Sequence, residues 1–169
     1  MHIIRDRRIS EDHWLHVPEG ERTNRDGAVT VALSDWRGHK AELASRESPV
    51  GVRLCAADDL DEIVEHLHDL DLIAFEFANF TEGRGYSHAR ILRERYGYRG
   101  EIRALGDVSR DRLAFMERCG FNAFELRPDA GRGDAPANAL ERVLDAFGEI
   151  SEVYQPAADA RPAIASRRA

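Results

Sequence analysis

Five short β-type runs recur along the chain, and each is followed by a stretch with helical spacing. This alternation constrains the fold more than any other feature of the sequence. The runs are Val29–Leu33, Val50–Cys55, Asp71–Phe77, Glu101–Gly106 and Asn122–Leu126. Strands that alternate with helices pair in parallel through right-handed crossovers. The sequence therefore predicts an α/β fold of about five consecutive βα units with a parallel sheet. Two architectures satisfy that pattern: a curved, half-barrel-like sheet and an open, doubly wound sheet. In both, ligands meet the loops at the C-terminal ends of the strands.

The intervening helices carry their own start and stop signals. Ser34 or Asp35 is an N-cap type for a helix to about Ser45. Asp58 and Asp59 open an amphipathic helix with Leu60, Ile63, Val64 and Leu67 at helical spacing. A loop from Ala78 to Gly85 leads into a helix containing Ala89, Leu92 and Tyr96, with Gly97 as a left-handed C′ residue. Asp107 and Ser109 are cap types for the next helix, which Gly120 closes. Asn138 to Ile150 forms the last amphipathic helix, with Leu140, Val143, Leu144 and Phe147 inward. Residues 1–27 read as an N-terminal arm and loop, in which His2–Ile9 pairs with Trp14–Val17 as a short antiparallel β arm. Residues 28–150 form the α/β domain, and 151–169 an extended C-terminal tail.

At 169 residues the chain is long enough for one domain with a proper core, needing no disulfide or metal for stability. The net charge of −7 and the lack of a basic block argue against nucleic-acid binding. Lys40 is the only lysine, so the positive charge is almost all arginine, which pairs bidentately with carboxylates and oxyanions. Cys55 and Cys119 form no CxxC pair. Met1–Ser10 has no apolar core of a secretory signal, and no apolar run approaches a membrane span. A cytoplasmic protein is the expectation. The seven histidines are not spaced as a metal set, so no metal is assigned. No flavin, haem or iron–sulfur pattern is visible either, and no cofactor is evident.

Two patterns point to sites. Arg53, Glu76, Arg103 and Glu125 place one charge in each of four successive strands, where two-sided α/β strands are usually apolar throughout. Alternating signs suggest a ladder of Arg–Glu pairs on one face of the sheet. The second is the segment 79–87, with Thr81, Gly83, Arg84, Gly85, Tyr86 and Ser87 between the third strand and its helix. Glycines there permit a tight turn, and a helix N-terminus offers free N–H groups to an anion. Arg84, Arg90, Arg103 and Arg127 would supply charge to an oxyanion cradle, with Glu76 or Asp107 as an acid or base. The segment is neither a Walker loop nor a dinucleotide fingerprint.

The run Phe77–Ser87, followed by Ala89–Gly97, Gly106–Val108, Arg110–Asp111 and Arg118–Phe121, resembles the bacterial family of unknown function DUF934. Val153–Asp159 in the tail resembles it too. Members of that family are commonly described as oxidoreductases associated with sulfite reduction. The resemblance implies a place in sulfate assimilation and cysteine biosynthesis, and it carries no catalytic residues. It makes an accessory protein of assimilatory sulfite reduction the first expectation. The partner would be the sulfite reductase haemoprotein or its electron donor, with Tyr154 and Gln155 of the tail as docking residues. A small oxyanion- or phosphometabolite-binding enzyme of the same pathway is the alternative. A half-barrel that dimerises to complete itself is compatible with either.

Overall fold

The computed structural model describes residues 2–21, 26–79, 82–126 and, in a final helical stretch, 141, 144 and 145. Its strands are β1 (His2–Arg5), β2 (Arg8–Glu11), β3 (Leu15–His16), β4 (Val29–Ala32), β5 (Val50–Leu54), β6 (Leu72–Phe77), β7 (Glu101–Gly106) and β8 (Ala123–Phe124). Its helices are α1 (Leu33–Ala44), α2 (Asp61–Val64), α3 (Arg84–Glu94) and α4 (Leu113–Arg118), with 3-10 turns at Leu67–Asp69 and Arg110–Arg112.

All eight strands join one sheet in the order β2-β1-β8-β7-β6-β5-β4-β3. From β4 to β8 the strands pair in parallel and in chain order. Each crossover therefore steps in the same direction, which leaves the helices on one face. A doubly wound sheet requires the direction to reverse, so the half-barrel is the architecture formed.

The connection from β2 to β3 shows how far the sheet curls. A flat eight-stranded sheet would hold its two edges about 34 Å apart. Glu11 and Leu15 are four residues apart in sequence and span at most about 14 Å, yet they lie on opposite edge strands. The sheet must bend until its edges approach. His16 beside β4 then reaches Glu125 just past β8, with Nε2 to Oε2 at 3.3 Å.

The two faces of the sheet are filled differently. Val31, Val52, Phe75, Ala104 and Phe124 point outward to Leu33 and Trp36 of α1, Ile63 of α2, Ala89 and Leu92 of α3, and Leu113 and Met116 of α4. Phe75, Phe77, Tyr86, Phe115 and Phe121 make ring contacts at centroid separations of 5.3–6.3 Å. The register puts Ala32, Arg53, Ala74, Arg103 and Ala123 side by side on the inner face, with Arg5 next. Large and small side chains thus alternate around the bend, as the layers of a closed barrel do. Residues 12–17 cross this face. Trp14 packs on Leu72, Ala74 and Leu105, and Asp12 receives two bonds from the fully buried Arg103, at 2.8 and 3.0 Å.

Several sequence expectations are corrected. The N-terminal arm does not pair with Trp14–Val17. It forms the hairpin β1–β2 around Asp6 and Arg7, both at positive φ, and β1 adds antiparallel to β8. Residues 15–16 instead pair in parallel with β4 at the far edge. Ser34 and Asp35 do not cap α1. They hold the preceding loop, where Ser34 Oγ donates to Glu19 and Asp35 accepts from Gly20 N. The helix expected after Asp58 is a single turn. Gly97 takes the expected positive φ, at +64°, but α3 ends at Glu94 with Arg95 as its C-cap, so Tyr96 lies outside the helix and Gly97 two residues past the cap; Gly120, at +113°, follows the C-cap Cys119 and closes α4 as expected. Leu144 packs on the core, while Leu140, Val143 and Phe147 lie outside the described residues.

Asp12→Ala leaves the buried Arg103 guanidinium with Glu101 as its one remaining carboxylate partner among the described residues and is expected to cost about 1.5–3 kcal/mol, read as a fall in the urea midpoint. Burial alone would raise the Asp12 pKa, but the bonds and charge of Arg103 outweigh it and hold it below the usual carboxylate range. The Asp12 contribution is therefore complete above the unfolded value and disappears as pH falls through the lower folded one. An acid-titration curve in which wild type and Asp12→Ala differ equally at pH 7 and pH 2 would contradict this assignment.

Candidate functional site

At the C-terminal ends of β5 and β6 the sheet opens into a cleft of roughly 230 Å³, floored by Leu54, Phe75 and Phe77. Most of that space is open to solvent, and the enclosed part has room for about one water molecule, far less than a metabolite pocket. Cys55, Glu76, Glu82, Arg84, Gly85 and His88 line its walls. Arg84 begins α3 and donates Nη1–H to Ala56 O at 3.0 Å, which ties the helix to the β5 loop. An alanine Cβ at Gly85 would lie 2.8 Å from the Phe77 ring, so glycine lets α3 start close against β6. Glu82 accepts from Ala78 N at 2.9 Å and closes the loop between them. Burial first, and then the charge of Arg84, lowers the pKa of His88. The cleft therefore holds a thiol, a neutral imidazole, one guanidinium and two carboxylates.

The segment 79–87 is only partly devoted to this cleft. Gly83 precedes α3 and is exposed, as is Ser87. Tyr86 turns into the aromatic cluster against Phe77, Phe115 and Phe121. Arg90 pairs with Glu94 on the surface of α3. Asp107 lies beyond β7, where its N–H meets Phe77 O and its carboxylate pairs with Arg112 at 3.5 Å. Arg103 does not join Arg84, because its side chain occupies the inner face between Asp12 and Glu101. Thr81, Arg127, Tyr154 and Gln155 lie outside the described residues.

The strand charges share the inner face but do not form a cross-strand ladder. Arg53 donates to Thr30 O and Oγ1 and to Val17 O. Arg103 is held by Asp12 and by Glu101, whose other oxygen meets Arg5 Nε at 2.9 Å. Glu125 faces His16, and Glu76 sits exposed at the cleft without an ion pair among the described residues. The register explains the difference. On the intervening strand a single alanine, Ala74, lies beside both Arg53 and Arg103, so each arginine turns to the crossing segment 12–17 or along its own strand.

Spacing arguments did not find one cluster. Asp12 and His16 bring ligand-type atoms within 4.8 Å of one another and of Glu125, which lies more than a hundred residues further along the chain. Nothing local in the sequence marks them, since only the curl of the sheet joins them. Arg93 was also unmarked as a structural residue. Its buried guanidinium donates to Gly120 O, Tyr98 O, Gly100 O and Asn122 Oδ1 and ties the loops after α3 and α4 together. The two cysteines are free thiols: Cys55 is exposed at the cleft, and burial raises the pKa of Cys119. Among the described residues no helix is long and apolar enough to cross a membrane.

The lowered His88 pKa has a direct readout. In an NMR titration His88 is expected to protonate below the ordinary value of about 6.5, and Arg84→Ala should move its midpoint upward. A midpoint indifferent to Arg84 would place the guanidinium too far away to act on the ring.

No curated protein matches the chain. A family model does match, over residues 51–165, which takes in β5 to β8, the cleft and α3. The protein therefore belongs to the family described as bacterial protein of unknown function, DUF934.

Proposed function

We propose that this protein is an accessory of assimilatory sulfite reduction that docks on a partner with a basic surface, the sulfite reductase haemoprotein being the first choice. The pathway comes from the resemblance carried by the Phe77–Phe121 motifs. The docking mode rests on where the charge lies. Residues 58–71 hold seven acidic residues and no lysine or arginine, so this one stretch equals the net charge of −7 of the whole chain. It is the connection between β5 and β6, which contains α2 and flanks the cleft.

Most of these acids have structural tasks. Asp58 accepts from Cys55 N, Asp71 from Val50 N and Asp59 from Asp61 N. Glu62 pairs with Arg37, and Asp69 with His66 and His68. Asp61 and Glu65 are exposed, and their carboxylates make no hydrogen bond or ion pair among the described residues. They are the two carboxylates left for a partner. Charge of one sign concentrated on one flank steers association and makes it sensitive to salt.

The test is size-exclusion chromatography with the sulfite reductase haemoprotein of the same organism, following sirohaem absorbance. Co-migration is expected at low salt and should weaken at high salt and in Asp61→Lys/Glu65→Lys. Separate elution at micromolar concentration in low salt would remove this reading.

A second reading, a small oxyanion-binding enzyme of the same pathway, is favoured by Arg84 at the start of α3, on the wall of the cleft at the strand ends. Millimolar sulfite, sulfate or phosphate should then raise Tm through binding to the native state, and Arg84→Ala should lose the shift while keeping its fold. An unchanged Tm with all three anions would count against it, as Glu76 and Glu82 in the same cleft already do.

A further inference from the structure

We propose that Asp12, His16 and Glu125 bind one divalent transition-metal cation of the Zn²⁺ type at the mouth of the inner face. Their ligand atoms all lie within 4.8 Å of one another, close enough for one ion to contact all three. One imidazole and two carboxylates suit first-row divalent metals better than the all-oxygen sets that hold Mg²⁺ or Ca²⁺.

The surroundings orient each ligand, as partners in the second layer of a metal site do. His16 Nδ1 shares a hydrogen bond of 2.6 Å with Thr30 Oγ1. Thr30 Oγ1 is itself fixed by Arg53 at 3.1 Å. With Nδ1 engaged, Nε2 is the nitrogen that faces Glu125. Asp12 is held by both Nη atoms of Arg103, and its Oδ1 also accepts from Trp14 N at 3.2 Å. Oδ2 carries one of these bonds and keeps a free lone pair.

Charge supports the same assignment. Arg103 offsets Asp12, and Arg5 offsets Glu101, whereas Glu125 meets only His16 among the described residues. Two carboxylates brought this close repel, and a cation between them removes that repulsion. The His16 and Glu125 side chains are 32% and 24% exposed, so an ion reaches them from solvent without unfolding the strand pairing. A bound ion would join the crossing segment to the end of β8 and so fasten the curled sheet across its opening. Asp12 and His16 precede the family match, which begins at residue 51.

The experiment is calorimetric titration of chelator-treated full-length protein with Zn²⁺. A Cys55→Ser background removes the exposed thiol as a competing ligand, and Mg²⁺ serves as the comparison. One equivalent of Zn²⁺ should bind at least about tenfold more tightly than Mg²⁺ and raise Tm. His16→Gln and Glu125→Gln, checked for an unchanged circular dichroism spectrum, should each weaken Zn²⁺ binding about tenfold or more and lose the Tm increase. Absence of saturable Zn²⁺ binding, or binding that persists undiminished in both folded variants, overturns the proposal.

Discussion

The bidentate bond between Asp12 and Arg103 closes a structure that the sheet alone would leave open. Five parallel strands with their helices on one face bury only that face. The other must be filled, and here it is filled by the chain's own N-terminal segment. Arg103 is fully buried there, and a buried guanidinium is tolerated only with well-placed partners. It has two, Asp12 and Glu101, and Glu101 passes the pairing on to Arg5. The network therefore ties the crossing segment, β7 and the β1–β2 hairpin to one another.

This arrangement separates the two kinds of surface a function can use. The inner face is occupied by Trp14, the arginine–alanine row and the crossing segment, so its chemistry is confined to the mouth near His16 and Glu125. The strand ends remain open as the cleft of Cys55, Arg84 and His88, with the acidic β5–β6 connection on its flank. An accessory that docks through this flank would present the cleft to its partner, which brings the pathway reading and the cleft geometry to one side of the molecule.

Much of the fold was legible in the sequence because each βα unit is locally encoded. The apolar runs gave β4 to β8. Gly120 marks the end of α4 because the backbone there takes positive φ, whereas Gly97 lies two residues past the C-cap of α3, and Leu144 packs inward as its spacing implies. Ser34 and Asp35 are cap types that here serve a neighbouring loop instead, bonding Glu19 and Gly20. The helix after Asp58 is shorter than expected: only Asp61–Val64 is α-helical, and the chain goes on as a 3-10 turn at Leu67–Asp69. Tyr86 and Arg103 have the chemistry of ligand contacts in the sequence, but one packs in the aromatic cluster and the other is a buried counterion. A polar residue does not announce which face it serves until strand register is known.

The sequence by itself determined the class of fold, the order of the parallel strands' formation along the chain, the family and the position of the cleft at the strand ends. These follow from short-range periodicity and from motif residues close together in the chain. Tertiary structure alone decided that the sheet curls, that β1 adds to β8, and that Asp12 and His16 meet Arg103 and Glu125. Those contacts join residues about a hundred positions apart. Their physical origin is the need to fill the inner face of a bent sheet, a requirement that no single segment carries.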